Sequence, residues 1–74
     1  MDATDPKQQY EAAVHTLKGV HTMAYFDDLD RAHAWVMKRY EECYGERAAV
    51  IYDQRQGRKR VLVIDKWCLL GGAS

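Results

Sequence analysis

The sequence contains few of the residues that metal sites and covalent cross-links require. It holds only two cysteines, Cys43 and Cys68, and they have no CxxC spacing. They can form at most one disulfide, and two reduced cysteines in an intracellular protein is the simpler interpretation. Asp30 and His33 form the one candidate ligand pair, whereas zinc sites usually contain close pairs of cysteine or histidine. The sequence therefore predicts no metal and no cofactor.

Signals of catalysis and of membrane insertion are also missing. The single serine is Ser74, and Cys43 is expected to be buried, with no electropositive feature nearby that would activate its thiol. No glycine-rich segment precedes a helix, as a phosphate loop would. No apolar run approaches the ~20 residues of a membrane span, and the N-terminus lacks the apolar core of a signal peptide. We therefore expect a non-enzymatic, cytoplasmic protein without a membrane partner.

The length predicts a single small α+β domain over residues 1–74, with flexible ends at 1–4 and 71–74. A chain of this size buries only about 60% of the surface that its unfolded form exposes, so its stability is limited. Association with a second copy would add buried surface, which makes a homodimer a possible state.

The centre of the chain predicts a strand followed by a helix. Residues 20–26 are rich in β-branched and aromatic residues at alternating positions, which is typical of a strand. Asp27 is the expected helix cap, and Asp30 can reach back to it as in a capping box. The helix is expected to continue to Tyr44, and Gly45 is a natural residue to end it.

The predicted helix has one broad apolar side and one aromatic residue off it. At 100° per residue, the apolar side lies within about 80° of Leu29. Its members are Ala32, His33, Val36, Met37, Tyr40, Cys43 and Tyr44. Trp35 lies outside this side, between Arg31 and Arg39, one turn away in each direction.

The segment before the centre admits two interpretations. Tyr10, Ala13, Val14 and Leu17 are spaced as one side of a helix, and this interpretation is favoured over residues 5–19, with Thr4 or Asp5 as the cap. The alternative is a strand over residues 9–17 joined to the next strand by a tight Lys18-Gly19 turn. Glutamate and alanine are poor strand formers, which counts against the alternative.

The segment after the centre predicts a β-hairpin. Residues 48–53 form one strand, residues 54–58 a loop in which Gly57 supplies a left-handed position, and residues 59–66 the returning strand. The element order is α-β-α-β-β or β-β-α-β-β, with a small, mostly antiparallel sheet of three or four strands packed on a central helix. The two strands that flank the helix are expected to run parallel to each other.

The last strand carries apolar residues on both of its faces. One helix covers only one face, so the other needs a second cover. That cover is the N-terminal helix, a second copy of the chain or a foreign partner. An uncovered face with Val61, Val63 and Trp67, or with Leu62 and Ile64, would be an apolar patch of the kind that marks association.

Two surfaces are candidate binding sites. The favoured one is the Arg31, Trp35 and Arg39 row, because tryptophan and arginine are enriched at interface hot spots. The alternative interpretation of Trp35 is that it packs beneath the N-terminal helix. The other surface is the basic hairpin tip, which would bind nucleic acid by following a phosphate backbone. Its residues are Arg55, Arg58, Lys59 and Arg60.

Nucleic acid is the less favoured partner. The net charge is zero, with 11 basic and 11 acidic residues, and the first half of the chain is acidic. Nucleic-acid binders tend to be basic overall, and charged hairpin tips also protect sheet edges. The uneven charge is equally explained by the acidic helix start and the basic turn.

In length, single α+β domain and lack of catalytic residues, the chain resembles small phage-encoded inhibitors of host machinery, anti-CRISPR proteins among them. The resemblance covers size and layout alone, so no site residue is carried over. It implies a phage- or mobile-element-encoded inhibitor that binds a larger host protein or protein complex.

Overall fold

The computed structural model describes residues 9–70, which form four strands, one α-helix and one 3₁₀-helix. The elements in chain order are β1 (Tyr10–Thr16), β2 (Gly19–Phe26), α1 (Leu29–Glu42), β3 (Arg47–Asp53), a 3₁₀-helix (Gln54–Gln56) and β4 (Lys59–Ile64). The strands form one sheet in the order β2-β1-β3-β4, and every neighbouring pair is antiparallel. The α+β class is confirmed, with the β-β-α-β-β order. The ends expected to be flexible lie outside the described residues.

The favoured helix before the centre is wrong where the structure describes it, because residues 10–16 form strand β1. Ala12, Ala13 and Val14 are consecutive and all buried, a pattern that a one-sided helix does not produce. Leu17, which completed the helical spacing, is 71% exposed. Pairing with β2 on one side and β3 on the other outweighs the low strand propensity of alanine. The proposed caps at Thr4 and Asp5 lie outside the described residues.

The β1–β2 connection is a tight turn, as in the alternative interpretation, but it is shifted by one residue: it consists of Leu17 and Lys18, and Gly19 begins β2. Gly19 has a φ of 112°, which a residue with a side chain rarely adopts. The Lys18 N–H donates to Thr16 Oγ1 at 3.2 Å. These two features stabilise a hairpin loop of only two residues between the paired Thr16 and Gly19.

Both predicted ends of the central helix are shifted. Asp28, not Asp27, is the N-cap, and its Oδ1 accepts from the Asp30 N–H at 3.1 Å. The helix ends at Glu42 rather than Tyr44. Beyond that end, the Arg47 guanidinium donates to the carbonyl oxygens of Tyr40, in the last turn of the helix, and of Gly45, in the loop that follows. The Tyr40 carbonyl also accepts from the Cys43 N–H at 3.3 Å.

The core lies between α1 and one face of the sheet. From the helix, Ala32, Val36 and Tyr40 are buried in it. From the two central strands it takes Ala12, Val14, Ala49 and Ile51. The buried side of the helix is therefore narrower than predicted: His33 is exposed, and Tyr44 lies beyond the helix, 95% exposed.

The crossover and the last strand differ in detail from the prediction. β2 and β3 are both antiparallel to β1, so they run parallel to each other as expected, but β1 lies between them. β4 ends at Ile64 instead of continuing to Lys66. The Asp65 carboxylate accepts from the N–H groups of Leu69 and Leu70 at 2.7 and 2.9 Å, which holds a turn there.

The sheet face opposite α1, hereafter the back face, carries no helix among the described residues. One cross-strand row on it is entirely apolar, because the register pairs Met23 with Ala13, Ala13 with Val50 and Val50 with Val63. Ala13 and Val50 are buried, whereas Met23 is 42% and Val63 44% exposed. The row therefore has a buried centre and two exposed ends.

Candidate functional site

The Arg31, Trp35 and Arg39 row lies on the side of α1 that faces β2. The Trp35 ring packs on Phe26 of β2, with ring centroids 5.6 Å apart and planes tilted by 52°. The Arg39 guanidinium lies 5.8 Å from the Trp35 ring centre and forms an ion pair with Glu42 at 2.8 Å. Trp35 is therefore half-buried at the edge of the core, with β2 as its neighbour in place of an N-terminal helix.

The two arginines of this row have different surroundings. Arg39 is held between the indole ring and Glu42. Arg31 is exposed and forms no ion pair within the described part of the chain. The row thus contains a half-buried tryptophan, Arg39 held in place by its contacts, and Arg31 without an ion pair among the described residues. The role of the row in binding stays a prediction.

The basic hairpin brings together four exposed cations, but one of them is engaged within the protein. The Arg58 guanidinium lies 4.3 Å from the centre of the Tyr52 ring and forms an ion pair with Glu11 at 3.1 Å. Arg55, Lys59 and Arg60 are exposed and form no ion pair with described residues. The tip therefore presents three cations to a partner.

The buried Asp53 carboxylate stabilises the conformation of this hairpin through hydrogen bonds. It is only 3% exposed, and its Oδ1 accepts from the Arg55 N–H at 3.0 Å, which caps the 3₁₀-helix. Gln56 and Gln9 also donate to the carboxylate. Burial raises the pKa of Asp53, but the hydrogen bonds from Gln56, Arg55 and Gln9, with the nearby Arg55 charge, outweigh burial, and the net shift is downward. The carboxylate is therefore held in its charged form.

The back face combines apolar and aromatic side chains with one ion pair. Beside the apolar row, the register pairs Tyr25 with Glu11, Glu11 with Tyr52 and Tyr52 with Arg60. Val20, opposite His15, adds a further exposed apolar residue on β2. The exposed apolar and aromatic residues of this face are Val20, Met23, Tyr25 and Val63.

Only part of this face was expected from the sequence. Of the predicted patch of Val61, Val63 and Trp67, only Val63 belongs to it. A register shift opposite Ile51 and Tyr52 lets Val61 pack against the core, and Trp67 lies beyond β4 with its ring 5.6 Å from the Arg47 guanidinium. The contribution of β2 was missed, although the alternation of Met23 and Tyr25 with Thr22 and Ala24 was a usable signal.

Within residues 9–70, no group of three or more histidine, cysteine, aspartate or glutamate side chains is placed to hold a metal ion. Cys43 is half-buried and Cys68 exposed, and both are unbridged. No helix in the described part of the chain is long and apolar enough to span a membrane.

Comparisons of the chain with protein-family models, with curated proteins and with solved structures found no match.

Proposed function

We propose that this protein is a non-catalytic interaction module that binds a larger host protein or protein complex in the cytoplasm and blocks it stoichiometrically. A phage- or mobile-element-encoded inhibitor of the anti-CRISPR kind would act in this way. The observation that carries the proposal is the back face, where Met23 and Val63 expose apolar surface at the two ends of one cross-strand row. With Val20 and Tyr25, these side chains give the back face exposed apolar and aromatic surface, which is typical of a contact with another protein.

The chemistry of the face indicates the kind of surface that it fits. Apolar burial contributes roughly 25 cal/mol per Å², so burial of the exposed parts of Met23 and Val63 would supply the driving force of a contact. Arg60 and the Arg58–Glu11 ion pair lie at the hairpin end of the same face. Polar rims around an apolar centre are the usual anatomy of protein interfaces. A partner surface with an apolar centre and acidic residues at one side is the best complement.

The predicted hot-spot row would act as a second contact of the same kind. The Trp35 ring already packs against Phe26, so a partner would cover only the part of the ring that remains exposed. Arg31, which forms no ion pair with described residues, is the member best able to bind a partner carboxylate. This contact lies on the helix layer, on the opposite side of the sheet from the back face.

The test compares matched variants for capture of proteins from cells of the source organism. Val63→Lys places a charge in the apolar row, and Ala34→Lys places the same charge on the exposed side of α1. A protein captured by the wild type and by Ala34→Lys, but lost with Val63→Lys, is the expected result. With that protein purified, Val63→Lys is expected to weaken binding at least 10-fold, because a charge in an apolar contact is buried without a partner. Equal binding by all three proteins would contradict the back-face proposal.

Nucleic-acid binding through the hairpin is the alternative, favoured by the three cations that remain exposed beside Tyr52. Each phosphate contact contributes about 0.9 to the slope of log affinity against log salt, so three contacts predict a slope near about −2.7. Replacing Arg55, Lys59 and Arg60 together with glutamine would then abolish the slope. No binding to duplex or single-stranded oligonucleotides at low salt would exclude this function.

A further inference from the structure

Strand β2 is an unprotected edge of the sheet. It pairs with β1 on one side, and no described strand lies on its other side. Its eight residues, Gly19–Phe26, include no aspartate, glutamate, lysine, arginine or proline. Outward-facing N–H and C=O groups on such an edge form a template for another strand.

The opposite edge is protected in the ways that β2 is not. Strand β4 begins with Lys59 and Arg60, and its pairing with β3 shifts register at Ile51/Tyr52. Charge and irregular pairing both discourage edge-to-edge association. The β1–β2 pairing also has a shift, between Val14 and His15, but from Thr22 to Phe26 its register is continuous. Within residues 9–70, the sheet therefore has one regular edge on which no further strand is paired.

We propose that the protein forms a twofold-symmetric dimer in which β2 pairs antiparallel with β2 of a second copy, giving one continuous eight-stranded sheet. In a twofold-symmetric dimer, both subunits contribute the same surface to the interface. Two copies of one strand meet this requirement when they pair antiparallel. Because β2 carries no acidic or basic residue other than His21, no pair of carboxylates, ammonium groups or guanidinium groups meets across it. A second copy is thus an electrostatically compatible partner for this edge.

The side chains support a second copy as the occupant. Met23 and Tyr25 are exposed on the back face. A twofold axis through Met23 places this side chain opposite its own copy, with both Tyr25 side chains on the same face, where apolar and aromatic cross-strand neighbours stabilise a sheet. A twofold axis perpendicular to the sheet keeps both back faces on one side. The apolar rows of the two copies then join, since each row reaches the shared edge at Met23.

The helix layer is compatible with the same arrangement. The Phe26–Trp35 contact places the tryptophan on the β2 side of α1. In the dimer, the two Trp35 side chains face each other across a groove floored by the paired β2 strands. Arg39 is paired with Glu42 and brings no uncompensated charge to that groove, whereas Arg31, on the same side of α1, is exposed and forms no ion pair with described residues.

The test uses two apolar residues of the same row with nearly equal exposure, Met23 (42%) and Val63 (44%). Light scattering at micromolar concentration is expected to give a wild-type mass near 17.2 kDa, twice the 8.6 kDa of one chain. Met23→Lys places two ammonium groups beside the twofold axis and is expected to give a monomer. Val63→Lys lies at the far edge and is expected to remain dimeric. An equimolar mixture of Met23→Lys and Met23→Glu is expected to restore the dimer, because the charges then pair.

Three results would overturn the proposal: a wild-type monomer throughout the micromolar range, monomers from both lysine variants, or a dimer from folded Met23→Lys. Circular dichroism checks that each variant is folded. If Met23→Lys fails to fold, hydrogen exchange of the wild type decides, since β2 amides should gain protection as concentration rises and β4 amides should not. The outcome is separate from the proposed function, because Val63→Lys is expected to lose the host partner while keeping the dimer.

Discussion

Arg58 and Glu11 are 47 residues apart in the sequence, yet their side chains form an ion pair of 3.1 Å on the back face. The pair joins the basic hairpin to strand β1. The Arg58 guanidinium also packs on the Tyr52 ring, 4.3 Å from the ring centre. An exposed hairpin is in this way linked to one of the two central strands of the sheet.

Replacing Arg58 tests how much this connection contributes to stability. Arg58→Ala removes the ion pair and the contact with Tyr52, and we expect the free energy of unfolding to fall by about 1 kcal/mol. Arg55→Ala, which removes an exposed guanidinium from the same tip, is expected to change it by less than about 0.5 kcal/mol. Urea denaturation measures both. Equal effects would mean that the ion pair contributes nothing.

The pKa of Asp53 predicts how stability depends on pH. This pKa is lower in the folded protein than its unperturbed value of 3.8, so the charged carboxylate stabilises the fold at pH values above 3.8. That contribution is lost as the pH falls below this value toward the folded pKa. Denaturation midpoints measured between pH 6 and 3 are expected to fall for the wild type and to fall less steeply for Asp53→Asn. If the denaturation midpoints of the wild type and of Asp53→Asn fall equally steeply with pH, the lowered pKa of Asp53 is contradicted.

Trp35 is expected to contribute both to the stability of the fold and to partner binding, and the two contributions can be measured separately. Its packing on Phe26 at the edge of the core predicts that Trp35→Ala lowers the free energy of unfolding by about 2 kcal/mol, less than the ~3–5 kcal/mol of a fully buried aromatic residue. Arg31→Ala is expected to leave stability within about 0.5 kcal/mol. Titration of a purified partner with Arg31→Ala and Arg39→Ala then isolates binding, and unchanged affinity in both would remove the row from the interface.

The Tyr40 hydroxyl is buried and has no hydrogen-bond partner among the described residues. An unpaired buried hydroxyl destabilises a fold, so Tyr40→Phe is expected to leave the free energy of unfolding unchanged or to raise it by up to about 1 kcal/mol. Arg47→Ala, which removes the guanidinium packed on the same ring and its bonds at the helix end, is expected to lower it by about 2 kcal/mol. Thermal melting of both variants checks the opposite signs.

The sequence by itself determined the fold well from β2 onward. Alternating apolar residues, acidic residues at the start of the helix and Gly57 in the hairpin are local signals. The elements that they predicted, β2, α1, β3 and β4, are all present within a few residues of their expected bounds. The basic hairpin was also predictable, because charged tip residues need no distant partner to stay exposed.

Tertiary structure alone decided the elements that depend on distant partners. Residues 10–16 have the spacing of a helix side, and only pairing with β2 and β3 on both sides makes them a strand, with Ala12, Ala13 and Val14 buried on both of its faces. The apolar row of the back face likewise draws its residues from four strands. Its ends, Met23 and Val63, are 40 positions apart in the sequence. No local spacing encodes such a row, because the free energy that creates it comes from strand pairing and burial between segments far apart in the chain.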